Sequence, residues 1–195
     1  LPYDVFSPHP DIVSERLQTL SALPGMTRGI LLVTAETLAL RLPPLAYVAG
    51  RSFSLQVGDT LALDAFRLRL TESGYASVGQ VTAPGEYALR GSLLDVYPMG
   101  SDAPLRIDLF DDQIEAIRRF DATTQRSGES LNAVRLLPAR ELPLDADAVR
   151  AFRRRWRTRF EGDPTRSVIY RGVSDGLAPA GIEFYLPLFF DSTAT

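Results

Sequence analysis

His9 is the only histidine in the 195-residue chain, and there is no cysteine. An imidazole can act as a base near neutral pH, and Ser7 and Asp4 lie close by in sequence. A catalytic triad, however, is assembled in space from distant segments, not from a local cluster. His9 stands between Pro8 and Pro10 and reads as a loop residue. One His without Cys leaves no ligand set for zinc. Asp108, Asp111, Asp112 and Glu115 could offer oxygens to a hard cation, but the spacing of an EF-hand loop is absent. Asp111-Asp112 is more simply a hairpin turn, where aspartate tolerates the backbone angles required. All 21 basic residues are arginine. With no lysine the chain holds neither a phosphate-binding GxxxxGK loop nor a Schiff-base nucleophile. Its formal net charge of −3 argues against a module devoted to gripping phosphates. The densest basic stretch, Arg153-Arg154-Arg155-Trp156-Arg157-Thr158-Arg159, has two readings. Arg153, Arg154 and Arg155 could follow a nucleic-acid backbone, or the arginines could form a solvated face over a buried Trp156.

Recognition chemistry has a stronger candidate in residues 85–127. In Leu105–Phe110 the side chains alternate with the period of a strand. Leu105, Ile107 and Leu109 make a buried face, whereas Arg106, Asp108 and Phe110 fall on the other. Glu86, Ala88 and Arg90 likewise share one face, which points Arg90 outward. An arginine beside an exposed aromatic on a rigid sheet suits a binding hot spot, because both give large contact area at modest entropy cost. The other reading is a second core face covered by a helix.

The elements that would carry these residues follow from periodicity. Val13, Leu17 and Leu20 mark a helix ended by Pro24. The apolar run 29–34 reads as a strand buried on both faces, as in a parallel sheet whose other strands lie outside this sequence. A short helix is expected near 36–41. Arg51–Val57 alternates as a strand, and Leu63, Phe66 and Leu70 line a helix closed by Gly74 at C′. Strands then follow at about 76–90, 92–97, 104–110, 113–120 and 132–137. Ile114 and Ile117 are three apart, so a bulge is expected between them. Val149, Phe152, Trp156 and Phe160 form one stripe of a helix over 145–160, capped by Asp145 or Asp147. Val168–Ser174 reads as a short helix in an otherwise irregular tail. A helix followed by consecutive strands predicts an α+β fold. The apolar runs are too short to span a bilayer, no signal peptide is expected, and absence of cysteine fits the cytoplasm. The first residues read like a domain interior, so a fragment of a longer protein is expected.

GEYALRGSLLDVYPMGSDAPLRIDLFDDQIEAIRRFD, together with LPYDVFSPHPDIVSERL, VGDTLALDAFRLRLTESGY and PAGIEFYLPLFF, resembles the bacterial transcription-repair coupling factors. The long block is similar to the inserted domain that this family shares with UvrB. The resemblance implies a fragment of a degenerate motor-like α/β domain over 1–50. An inserted, mixed and mainly antiparallel β domain with helices would follow over 51–142, then a helical connector over 143–195. It implies UvrA as the partner, with Arg90, Arg106 and Phe110 making the contact. This segment would be no enzyme and would hold no cofactor or metal. ATP and magnesium would belong to motor domains of the full-length protein, as would RNA polymerase and double-stranded DNA as further partners. Two other readings stay open. One is part of a UvrB-type ATPase that binds damaged DNA; the other is a DNA-binding module on the arginine-rich helix 150–159.

Overall fold

A computed structural model describes residues 6–191. The chain divides into two compact units. Among the described residues one unit gathers 6–8, 25–47 and 141–191, and the other gathers His9–Pro24 and Val48–Arg140.

The second unit opens with α1 (Pro10–Ala22), whose Leu17 and Leu20 are buried as their spacing requires. The side chain of His9 caps it, Nδ1 accepting from the Asp11 amide at 3.3 Å. β1 (Phe53–Gln56) pairs antiparallel with β8 (Ala133–Leu136) in a two-stranded sheet of its own. Helix α4 (Leu63–Glu72) buries Phe66 and Leu70 and ends at Ser73. Gly74 follows at φ +96°, and a Cβ there would sit 2.4 Å from Arg140 Cγ. Both the left-handed backbone and the close approach require glycine.

The main sheet has the order β2-β3-β4-β5-β6-β7, formed by Ala76–Ser77, Glu86–Arg90, Leu93–Val96, Leu105–Phe110, Gln113–Phe120 and Ser127–Leu131. β2 joins β3 in parallel and every other pairing is antiparallel. Helices with a mixed sheet and an antiparallel one make this an α+β fold. The single strand expected over 76–90 is two strands, separated by a loop that the Glu86 carboxylate ties down through the amides of Thr82 and Ala83. β7 has no alternating apolar pattern and was not expected; it is exposed along most of its length and held by pairing with β6. The strand expected over 132–137 forms as β8, but it joins β1, not the main sheet.

The expected bulge is present. Asp108 pairs with Ala116 and Leu109 with Ile114, which leaves Glu115 without a partner in the β5–β6 ladder. The extra residue returns Ile114 and Ile117 to one face, and both are buried with Leu105, Ile107 and Leu109. Asp111 takes φ +53° in the turn joining the two strands, as the hairpin reading of Asp111-Asp112 requires.

In the first unit, the short helix α2 (Ala35–Leu38) precedes α3 (Leu45–Gly50), whose last three residues group with the second unit. The expected buried strand at 29–34 does not form: Ile30 is 88% exposed and Leu32 89%. A strand buried on both faces needs neighbouring strands to cover it, and among the described residues none pairs with this run. Residues 141–191 build their own core around α5 (Ala146–Arg159), with Phe152, Trp156, Tyr170 and Val173 buried together. Asp145 caps α5, its side chain accepting from the Ala148 amide at 3.0 Å. α6 (Val168–Ser174) forms over the expected residues. No helix among the described residues is long and apolar enough to cross a membrane.

Candidate functional site

Register places Arg90, Arg106 and Phe110 on one face of the main sheet. Asp95 on β4 lies opposite Ala88 on β3 and Arg106 on β5, and Leu93 lies opposite Arg90 and Asp108. Side chains directly across a ladder share a face, so Arg90, Leu93, Asp95, Arg106, Asp108 and Arg118 stand together. Phe110 projects from the end of β5 and is 71% exposed. It stands roughly 13 Å along the strand from Arg106, at about 3.3 Å per residue. The opposite face carries the buried Leu94, Val96, Ile107 and Ile117. The face was therefore not covered as a second core over its whole length. Only its far end is covered, where Val81, Ala88 and Phe120 form a small cluster.

The arginines differ in what they already hold. Asp95 is buried, its side chain 0% exposed, and both its oxygens are occupied. Arg106 binds it in a fork, Nε donating to Oδ1 at 2.7 Å and Nη2 to Oδ2 at 2.9 Å. Arg106 Nη1 donates to the Gln125 carbonyl at 3.2 Å and to Ser127 Oγ at 3.4 Å. Its guanidinium also lies 4.7 Å from the centre of the Phe120 ring. The Arg106 side chain is 17% exposed. Arg90 reaches the same carboxylate through one contact, Nη2 to Oδ2 at 2.5 Å, and stays 51% exposed. Arg106 thus lies on the face its alternation predicts, with most of its donors engaged inside the protein.

Asp95 is the residue that sequence reasoning missed. In Leu93-Leu94-Asp95-Val96 alternation puts it on the outer face, where an acid attracts no notice. Only the pairing of β4 with β5 brings it to Arg106. Burying a carboxylate is costly unless it is paired and hydrogen-bonded, and here two guanidinium groups satisfy it.

The surrounding charges reinforce the arrangement. Arg106 and Arg118 face each other directly across β5 and β6, a juxtaposition that would repel. Asp95 holds Arg106, and Asp108 pairs with Arg118. Hydrogen bonding to Asp95 raises the Arg106 pKa above its ordinary value against the opposing effect of burial, and the charges of Asp95 and Asp108 add to the rise. The turn that receives Arg106 is itself fixed. Asp121 Oδ1 accepts from the Thr124 amide at 2.6 Å, a bond that lowers the carboxyl pKa, and Gln125 sits at φ +60°. In the middle of this face three guanidinium groups stand with two carboxylates, Glu86 further along β3 brings the charges to balance, and an aromatic protrudes at the end of β5. Nothing in this cluster pairs a nucleophile with a base.

Other sequence candidates lie elsewhere. His9 is an exposed helix cap. Asp108 is engaged by Arg118, and among the described residues no three acidic or imidazole groups gather as a metal site. On α5, Arg153 Nε donates to the Tyr170 hydroxyl at 3.3 Å. Arg155 Nη1 donates to the Leu188 carbonyl at 3.0 Å and also pairs with Asp191. Arg154 is exposed, and Trp156 beneath these arginines is buried. A cleft of about 680 Å³ in the second unit is lined by Gln18, Met99, Asp102, Arg119 and Arg135. It lies apart from the patch, because Arg119 projects from the opposite side of β6 to Arg118.

Residues 53–142 match the family described as the UvrB interaction domain. The chain is 49% identical over 190 residues to the transcription-repair-coupling factor of Escherichia coli (strain K12), covering 97% of this chain and 17% of that protein. It is 44% identical over 198 residues to the protein of the same name from Haemophilus influenzae, covering 100% of this chain and 17% of the relative. To the transcription-repair-coupling factor of Staphylococcus aureus (strain Mu50) it is 32% identical over 184 residues, covering 94% of this chain and 15% of the relative. The chain thus spans about a sixth of the length of these curated relatives.

Proposed function

Because the chain belongs to the family of the transcription-repair-coupling factors, as a segment that carries a UvrB interaction domain, we propose that it recruits UvrA in transcription-coupled excision repair. The observation that carries this reading is the arginine-bearing face of the main sheet, with Phe110 standing 71% exposed at its end. A large apolar ring held out on a two-stranded turn contributes little to its own fold, and it suits insertion into a recess on a partner. Arg90, on the same face two strands away, has donors only partly used and suits a carboxylate on that partner. Arg106 completes the patch from beneath. In the longer relatives, ATP-driven movement on double-stranded DNA and contact with RNA polymerase would be the work of other segments.

The test is titration calorimetry of the chain against purified UvrA, with Arg90→Ala and Phe110→Ala beside the parent. Each truncation should weaken binding by about 2 kcal/mol or more if these side chains are hot spots. Arg90→Lys should not restore the loss, because lysine cannot reproduce a planar fork. A folded parent that does not bind UvrA would refute the reading.

A further inference from the structure

The two arginines that clasp Asp95 are held unequally. Arg106 is fixed by a fork, by the Gln125 carbonyl, by Ser127 Oγ and by the Phe120 ring. Arg90 shares only Oδ2 of the same carboxylate, an oxygen already receiving Arg106 Nη2. Half of the Arg90 side chain is open to water, whereas Asp95 is closed to it. A partner's carboxylate therefore cannot approach the bound edge of Arg106 without displacing a buried anion. It can receive Arg90 at the cost of one shared hydrogen bond. Releasing Arg90 leaves Asp95 with both oxygens still satisfied by Arg106, so the exchange strands no buried charge.

We propose that Asp95 is the positioning residue of this patch, holding Arg106 as a fixed post and keeping Arg90 at rest beside it as the arm that moves onto a partner carboxylate. The proposal rests on the recruiting function argued above and assigns that surface a division of labour. Asp95 touches no partner atom; it acts by confining Arg90 near its bound position, so that less side-chain freedom is lost on association. Arg106 contributes through Asp95 and not through a bond of its own to the partner.

The experiment is a double-mutant cycle on UvrA binding by the 195-residue chain, combining Asp95→Asn with Arg90→Ala. Asp95→Asn should weaken binding about tenfold in the parent, and by less than about twofold once Arg90 is alanine. A purely structural role would give the same loss in both backgrounds, and that result would overturn the proposal. So would Asp95→Asn binding as tightly as the parent or more tightly, since the carboxylate would then merely compete with the partner. Should Asp95→Asn fail to fold by circular dichroism, the unmodified chain decides through its arginine Nε–Hε resonances during titration with UvrA. The Arg90 signal should shift while that of Arg106 holds, and a shift of both would overturn the proposal. Phe110→Ala and Arg90→Ala, run in parallel, separate the two levels of argument. If both bind like the parent, the recruiting surface itself is refuted. If both weaken binding and Asp95→Asn does not, only the positioning role is.

Discussion

Arg106→Ala should unfold the sheet-bearing unit far more readily than removal of any other arginine on that face. The substitution deletes the fork to Asp95, the bonds to Gln125 and Ser127, and the stacking on Phe120. Removing one partner of a buried ion pair costs about 3–5 kcal/mol, most of it the penalty for the charge left behind. Here Arg90 still touches Asp95, and Arg106 is itself 17% exposed, so about 2–3 kcal/mol is the appropriate expectation. At about 4–8 °C per kcal/mol for a domain near this size, the melting temperature should fall by roughly 10–20 °C. The assay is urea unfolding followed by far-ultraviolet circular dichroism. Trp156, the single tryptophan, lies in the other unit and is the wrong probe. Arg90→Ala, which removes one shared contact, should cost about 1 kcal/mol or less. Asp95→Asn added to Arg106→Ala should recover at least about 1 kcal/mol, because it removes the charge that arginine no longer serves. An Arg106→Ala midpoint within about 0.5 kcal/mol of the parent would refute the reasoning, as would a double variant less stable than the single one.

Phe110→Ala should leave the unfolding midpoint within about 0.5 kcal/mol of the parent, since the ring buries little in the isolated chain; urea unfolding checks this alongside the binding loss expected with UvrA. Gly74→Ala should cost about 1–2 kcal/mol, because alanine must take φ +96° and displace Arg140, and thermal unfolding measures it. Tyr75→Phe should cost about 1–2 kcal/mol, because the buried hydroxyl donates to the Leu137 carbonyl at 2.8 Å and accepts from the Met99 amide at 3.3 Å. Burial raises the Tyr75 pKa above its ordinary value of 10.0. The stability it contributes is therefore complete below the unfolded pKa and declines as pH rises above it, a decline that Tyr75→Phe should lessen in unfolding curves from pH 8 to about 11.

What could be read from the residues was whatever a single element decides. Leu105, Ile107 and Leu109 turn inward because a strand alternates, and the three-residue step from Ile114 to Ile117 betrays the extra residue between them. Phe152 and Trp156 share a stripe because a helix repeats, and Asp145 caps it because a first turn needs an acceptor. Features fixed by a second element were not legible. The run at 29–34 has the composition of a buried strand, but burial is conferred by neighbours. Ser127–Leu131 has almost nothing apolar and is a strand because β6 offers it a ladder. Arg106 belonged to the same class: its position on the face was readable, but its occupation by Asp95 was not. Eleven residues separate the two, and only the antiparallel register of β4 and β5 sets them side by side.

The bulge also bears on how this hairpin can change over generations. Inserting or deleting a residue inside a strand ordinarily turns every residue beyond it inside out. At Glu115 that penalty is already absorbed. Ala116 pairs with Asp108 and Ile114 with Leu109, so losing the residue between them would close the ladder without moving any buried side chain to water. The β5–β6 hairpin therefore carries a length-neutral site in the middle of a strand. Lineages could gain or lose a codon there while Phe110 keeps its place at the tip.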